Sequence, residues 1–115
     1  MTTSIQFRLR IRRDEEIAIG PGKIQLLEAI ERTGSISGAG RELDMSYRRA
    51  WLLIDELNRS LNEPAVLTAA GGNRGGGTSL TPVGRELVKR YREIEAKAQL
   101  AARADLKKLL KLLRP

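Results

Sequence analysis

The chain has 115 residues, with 21 Lys+Arg against 14 Asp+Glu, four aromatic residues, no cysteine and no histidine. That length suits one hydrophobic core rather than two, and no disulfide framework, Cys/His zinc site or thiol chemistry can be built from it, so no metal and no cofactor is expected. No apolar run approaches the ~20 residues that span a bilayer, and the first six residues lack the apolar stretch of a signal peptide, so a cytoplasmic protein with no membrane partner is expected.

The formal net charge of +7 points to a polyanionic partner, but its distribution matters more than its total. Basic and acidic residues balance at 7 and 7 in residues 1–44, stand at 4 and 3 in 45–81, and at 10 and 4 in 82–115. Most of the excess is in the last third, so a nucleic-acid reading has to rest on local patches.

Residues 5–12 alternate, with Ile5, Phe7, Leu9 and Ile11 on one side and Gln6, Arg8, Arg10 and Arg12 on the other. This period of two predicts a half-buried strand, and Asp14-Glu15-Glu16 followed by Ile17-Ala18-Ile19 predicts a turn and a return strand. An N-terminal hairpin over residues 5–19 is expected. Its outward arginines read as a solvated face of the kind that keeps a surface strand soluble.

Gly20-Pro21-Gly22 breaks the chain, after which Ile24, Leu26, Leu27 and Ile30 recur at helical spacing until Gly34. Ser35 is placed to cap a short second helix carrying Ile36, Ala39 and Leu43. Gly38 and Gly40 each weaken that helix by roughly 1 kcal/mol relative to alanine, which makes sense if another backbone or a DNA strand comes close. A tight turn at Asp44-Met45 leads to a third helix capped by Ser46. Ala50, Ile54, Leu57 and Leu61 form its core stripe, with Tyr47 and Trp51 on the flank, and Arg48, Arg49, Leu52, Glu56 and Arg59 lie opposite. No acidic residue occurs between Asp44 and Asp55, so the start of this helix is locally cationic.

Ala65-Val66-Leu67-Thr68, a loop of glycines around Asn73-Arg74, and Thr78-Ser79-Leu80-Thr81 read as a second hairpin. Thr81-Pro82 then opens a helix that can run to Arg114, about 50 Å at 1.5 Å per residue. Its stripe of Leu87, Tyr91, Ile94, Ala98, Ala102, Leu106, Leu109 and Leu113 is longer than a small domain can cover, which predicts a dimerisation helix.

Three helices, the last two joined by a tight turn, followed by a two-stranded hairpin, make a winged helix-turn-helix. In that motif the N-terminal residues of the second helix of the pair reach base edges in the major groove. Those residues here are Ser46, Tyr47, Arg48 and Arg49: arginine offers a bidentate fork to guanine, serine a hydroxyl, and Leu52 an apolar contact for a thymine methyl. Arg74 at the loop tip is placed for the minor groove or a phosphate. Ser35 and Ser37 at the start of the second helix and Thr78 beyond the glycine loop complete the candidate DNA-binding set. The glycine loop lacks the Lys-Ser/Thr ending and following helix of a nucleotide P-loop. Asp55-Glu56 diverge on a helix and Asp14-Glu15-Glu16 sit in a turn, so no acid–base pair is in view and an enzyme is not expected.

The runs Gly34-Ser35-Ile36-Ser37, Ser46-Tyr47-Arg48-Arg49-Ala50-Trp51, Glu56-Leu57-Asn58, the loop from Gly71 to Gly77, and Leu80-Thr81-Pro82-Val83-Gly84 resemble the N-terminal DNA-binding domain of the molybdate-responsive ModE-type regulators. They are more distantly similar to the LysR-type helix-turn-helix. The resemblance spans residues 17–91 and implies a dimeric transcription factor with Arg48 and Arg49 on the recognition helix and Arg74 in the wing. The Ser-Ala-Arg-Asn-type motifs with which that family binds oxyanions do not occur in this sequence, so direct molybdate binding is not expected of it and its small-molecule effector is unknown.

The expected fold is mainly α with a small β component. A winged helix-turn-helix over residues 1–81 contains an N-terminal hairpin (5–19), the helix-turn-helix (35–61) and the wing (65–81), followed by a dimerisation helix over 82–115. The expected function is sequence-specific binding of double-stranded DNA by a homodimeric transcriptional regulator. A sequence-indifferent architectural DNA binder and a membrane- or partner-binding protein acting through the amphipathic tail are the alternatives.

Overall fold

The computed structural model describes residues 2–69 and 77–115. Strands β1 (Ile11–Arg13) and β2 (Glu16–Ile19) form an antiparallel hairpin, followed by α1 (Pro21–Thr33), α2 (Ile36–Glu42) and α3 (Tyr47–Ser60). A second antiparallel hairpin, β3 (Val66–Thr68) and β4 (Thr78–Leu80), leads into α4 (Pro82–Ala101) and α5 (Arg103–Leu110). This is the winged helix-turn-helix order expected from the sequence.

The core is built around α1. Ile24, Leu26, Leu27, Ala29 and Ile30 are buried on more than one side of that helix, because α2, α3, α4 and β4 all pack on it. Each large side chain fully buried there contributes about 1.5–3 kcal/mol of transfer free energy. Gly34 stops α1 in a left-handed conformation (φ 70°), its N–H bonded to the Ile30 carbonyl at 2.8 Å. Its own carbonyl accepts from the Thr78 N–H at 3.0 Å, which ties the wing to the end of α1.

Two elements depart from expectation. The N-terminal strand begins at Ile11 rather than near residue 5, with a register shift between Ile11 and Arg12. Strand β2 has only four residues, so the chain before Ile11 finds no ladder partner. It keeps its alternation all the same: Phe7 and Leu9 are half-buried while Arg8, Arg10 and Arg12 are exposed. The C-terminal helix is not continuous to Arg114. It breaks at Ala102 (φ −93°, ψ 3°), resumes as α5 and ends at Leu110. Alanine is the best helix former, so nothing local announces that break.

The first half of α4 belongs to the core. Tyr91, expected on a dimer stripe, is 2% exposed, and its hydroxyl donates to the Leu9 carbonyl at 2.7 Å. Leu87 packs against the same cluster. Burial raises the Tyr91 phenol pKa above its ordinary value, so the hydroxyl stays a donor. Arg92 clamps Glu28 of α1 with two bonds at 3.0 and 2.6 Å and reaches Glu95 at 2.7 Å. The Glu28 hydrogen bonds raise its pKa above the ordinary value. Among the described residues no helix is long and apolar enough to cross a membrane.

Thr81 caps α4, accepting from the Gly84 N–H at 3.1 Å and donating to the Pro64 carbonyl at 2.7 Å. Gly84 is where α4 passes over the wing: a Cβ there would stand 2.3 Å from the Ala65 carbonyl oxygen. Gly84→Ala is therefore expected to lower stability by about 1–3 kcal/mol despite alanine's better helix propensity. A thermal midpoint equal to the parent's would show that α4 is not held against Ala65.

Candidate nucleic-acid interface

The helix-turn-helix is set by one close backbone approach. Leu43 closes α2, Asp44 takes a left-handed φ of 56°, and the Met45 N–H donates to the Gly40 carbonyl at 2.8 Å. A Cβ on Gly40 would lie 3.0 Å from the Met45 carbonyl oxygen and 3.8 Å from Ala50. The expected close neighbour of this glycine is thus the protein's own turn.

Ser46 then caps α3, its hydroxyl accepting from the Arg49 N–H at 3.1 Å. Ala50, Ile54 and Leu57 are buried against the rest of the domain, so the helix is held by one face and presents the other. On the presented side Arg48 and Arg49 are exposed and Leu52 is 51% exposed. The ion pairs among the described residues use Lys23, Arg32, Arg59, Arg85, Arg90 and Arg92 as cations. Arg48 and Arg49 have no carboxylate partner among those residues, and they stand at the positive end of the α3 dipole.

The acidic residues of α3 are accounted for farther along the helix. Asp55 pairs with Arg59 at 3.1 Å, and Glu56 pairs at 3.4 Å with Lys23. Glu56, expected on the outer face, is instead half-buried on the side toward α1 and β2. Lys23 is itself buried (7% exposed) and donates to the Ile17 carbonyl at 2.5 Å. It thereby fastens the N-terminal hairpin to α3.

Tyr47 and Trp51, on the flank of the α3 core stripe, lie at the surface. They are 56% and 39% exposed, and the indole N–H of Trp51 donates to the Tyr47 hydroxyl at 2.7 Å. The i,i+4 spacing makes them neighbours on one face of α3. The i,i+4 Tyr/Trp spacing is the sequence signal for this pair.

The flanking residues divide. Ser35 is half-buried and caps α2, accepting from the Gly38 N–H at 2.8 Å, while Ser37 is exposed. Thr78 is corrected: it is buried, because β4 alternates and turns Thr78 and Leu80 inward while Ser79 faces out. Arg74 lies outside the described residues. Asn58 orients the wing from below, its side-chain oxygen accepting from the Ala65 N–H at 2.8 Å and its amide donating to the Val66 carbonyl at 3.3 Å.

On the tail, Ile94, Leu109 and Leu113 of the expected dimer stripe are 50%, 60% and 59% exposed, and Ala98, Ala102 and Leu106 are half-covered.

Comparison with known proteins gives a consistent picture. The model of the bacterial regulatory helix-turn-helix protein, LysR family, matches residues 22–85. The molybdenum transport protein ModE of Azotobacter vinelandii is 44% identical over 101 residues, covering 86% of this chain and 37% of that protein. The DNA-binding transcriptional dual regulator ModE of Escherichia coli K12 is 35% identical over 83 residues, 72% of this chain and 32% of that one. The chain thus spans only about a third of the length of these relatives. Among solved structures, full-length LysG from Corynebacterium glutamicum with bound effector Arg superposes with TM-score 0.58 at 22% identity, covering 83% of this chain and 30% of that one. The MepR–DNA complex of S. aureus superposes with TM-score 0.52 at 21% identity, over 81% and 77%. At these identities the two structures support the fold.

The cap at Ser46 fixes where α3 starts and hence where Arg48 and Arg49 point. Ser46→Ala is expected to cost about 1 kcal/mol in chemical unfolding, and Ser46→Asp to retain the parent's midpoint. An equal loss in both variants would mean that the cap does not hold the helix start.

Proposed function

This chain belongs to the bacterial regulatory helix-turn-helix proteins of the LysR family, and from that premise we propose that it is a sequence-specific, double-stranded-DNA-binding transcriptional regulator acting as a homodimer. The observation that carries this reading is the exposed Arg48-Arg49 start of α3, without a carboxylate partner among the described residues and held outward by a helix whose opposite face is buried. Arg48 and Arg49 form bidentate bonds to guanine edges in the major groove, Leu52 meets a thymine methyl, and Tyr47 lies on the same exposed surface. Ser37 and Ser46 are hydroxyl donors toward the flanking phosphates, and Ser35 acts through the α2 cap. Arg74 adds a wing contact in the minor groove or on the backbone.

The homodimer rests on the uncovered apolar residues of α4 and α5. Ile94, Leu109 and Leu113 form exposed surface that a second copy would cover, together with the half-covered Ala98, Ala102 and Leu106. Two-fold pairing of the tails presents two recognition helices to an inverted repeat. The relatives' names associate them with molybdenum, and the effector of this chain is left open.

Selection from a randomised duplex pool is expected to recover an inverted repeat. On that duplex Arg48→Ala or Arg49→Ala should lose about 1–3 kcal/mol and relax the preference at one base pair, whereas Arg74→Ala should weaken binding evenly across sequences. Parent-like affinity in both recognition-helix variants would refute this placement of α3. Leu109→Asp is expected to shift the mass in light scattering from dimer to monomer, and an unchanged mass would remove Leu109 from the interface.

A further inference from the structure

The sequence reads the N-terminal arginines as a solvated face, but their positions in the fold suggest a more specific role. A cleft of roughly 500 Å³ opens between the N-terminal hairpin, the start of α1 and α3, and its lining includes Arg8, Arg10, Arg12 and Arg49. The period of two sorts the segment: Leu9 and Ile11 line an apolar groove against α4, while the three arginines turn to the cleft. The segment is held within that row by the Tyr91 hydroxyl on the Leu9 carbonyl, and its partner strand β2 is held by Lys23 on the Ile17 carbonyl. Arg49 brings the recognition helix into the same cleft, one turn from the end that carries Ser46.

The charge balance of the cleft is positive. Glu56 is taken up by Lys23, and neither Glu15 nor Glu16 forms an ion pair with an arginine among the described residues. Arg10 and Arg12 have no hydrogen-bonded side-chain partner there, and Arg8 bonds only Gln6, at 2.8 Å. Three identical cations repeated every ~6.6 Å along an extended chain suit a uniform repeating anion rather than a varied set of base edges.

Resting on the DNA-binding reading above, we propose that the N-terminal hairpin is a second DNA-contact element whose Arg10 and Arg12, with Arg8 beside them, hold the phosphate backbone of the duplex that α3 reads. The positive surface that starts at Arg48 and Arg49 is thereby continued sideways, past the major groove, onto the neighbouring strand. The hairpin adds affinity and register but no base preference.

The test compares Arg10→Gln/Arg12→Gln with Lys107→Gln/Lys108→Gln, which removes the same charge from α5, in binding to the selected duplex over a range of salt. The hairpin pair is expected to bind roughly tenfold more weakly, with the slope of log K against log salt reduced by about 0.9 for each lost contact. Its base preference and its thermal midpoint should match the parent's, since both side chains are exposed. A parent-like slope, an equal change in the α5 pair, or an altered base preference would each overturn the proposal. Should the parent select no sequence at all, the regulatory reading fails, and the slope measured on any duplex still decides whether the hairpin holds phosphates.

Discussion

The whole domain hangs on one short helix that is buried on several sides at once. Ile24, Leu26, Leu27, Ala29 and Ile30 of α1 are at most 1% exposed, and they take the inward faces of α2, α3, α4 and β4. An amphipathic helix with one apolar stripe could not do this. The polar residues left on α1 are accordingly spent on tying elements together: Lys23 to β2 and α3, Glu28 to α4, Arg32 to Glu42 of α2. The Arg32 hydrogen bonds hold the Glu42 carboxyl below the usual carboxylate range, but this pair is solvent-facing and contributes little to stability.

That arrangement leaves α3 with a fixed orientation and an uncommitted outer face. Its inner stripe is locked by packing, its start by the Ser46 cap, and its flanks by Lys23 on one side and Asn58 on the other. A recognition surface depends on such rigidity, because arginine forks discriminate bases only when the helix carrying them does not drift. The two hairpins are held at the flanks of the same helix by single polar side chains reaching their backbones. Lys23 thereby joins the N-terminal hairpin to α3, and the exposed Arg10, Arg12, Arg48 and Arg49 add to one electrostatic surface.

Much of this was legible in the residues. Gly34 as a helix stop, Ser35, Ser46 and Thr81 as caps, and the apolar stripe of α3 all act within a few residues of themselves, and each stands where the sequence places it. The less legible features depend on neighbours distant in sequence. Tyr91 looks like part of a dimer stripe until Leu9, 82 positions away, offers a carbonyl to its hydroxyl. Thr78 looks available until its strand is paired and its face assigned, and the exposure of Trp51 on the flank of α3 is known only once the helix is packed.

The order of elements, their caps and stops, and the cationic start of α3 follow from local backbone chemistry and periodicity, and so are written in the residues themselves. Which faces stayed open was set by the packing of distant segments. That packing drew Tyr91 and Leu87 inward, turned Glu56 toward Lys23, and brought Arg10 and Arg12 to the cleft that Arg49 shares. Exposure is a property of what packs against a residue, and partners far along the chain are set by the closing of the core rather than by any local pattern.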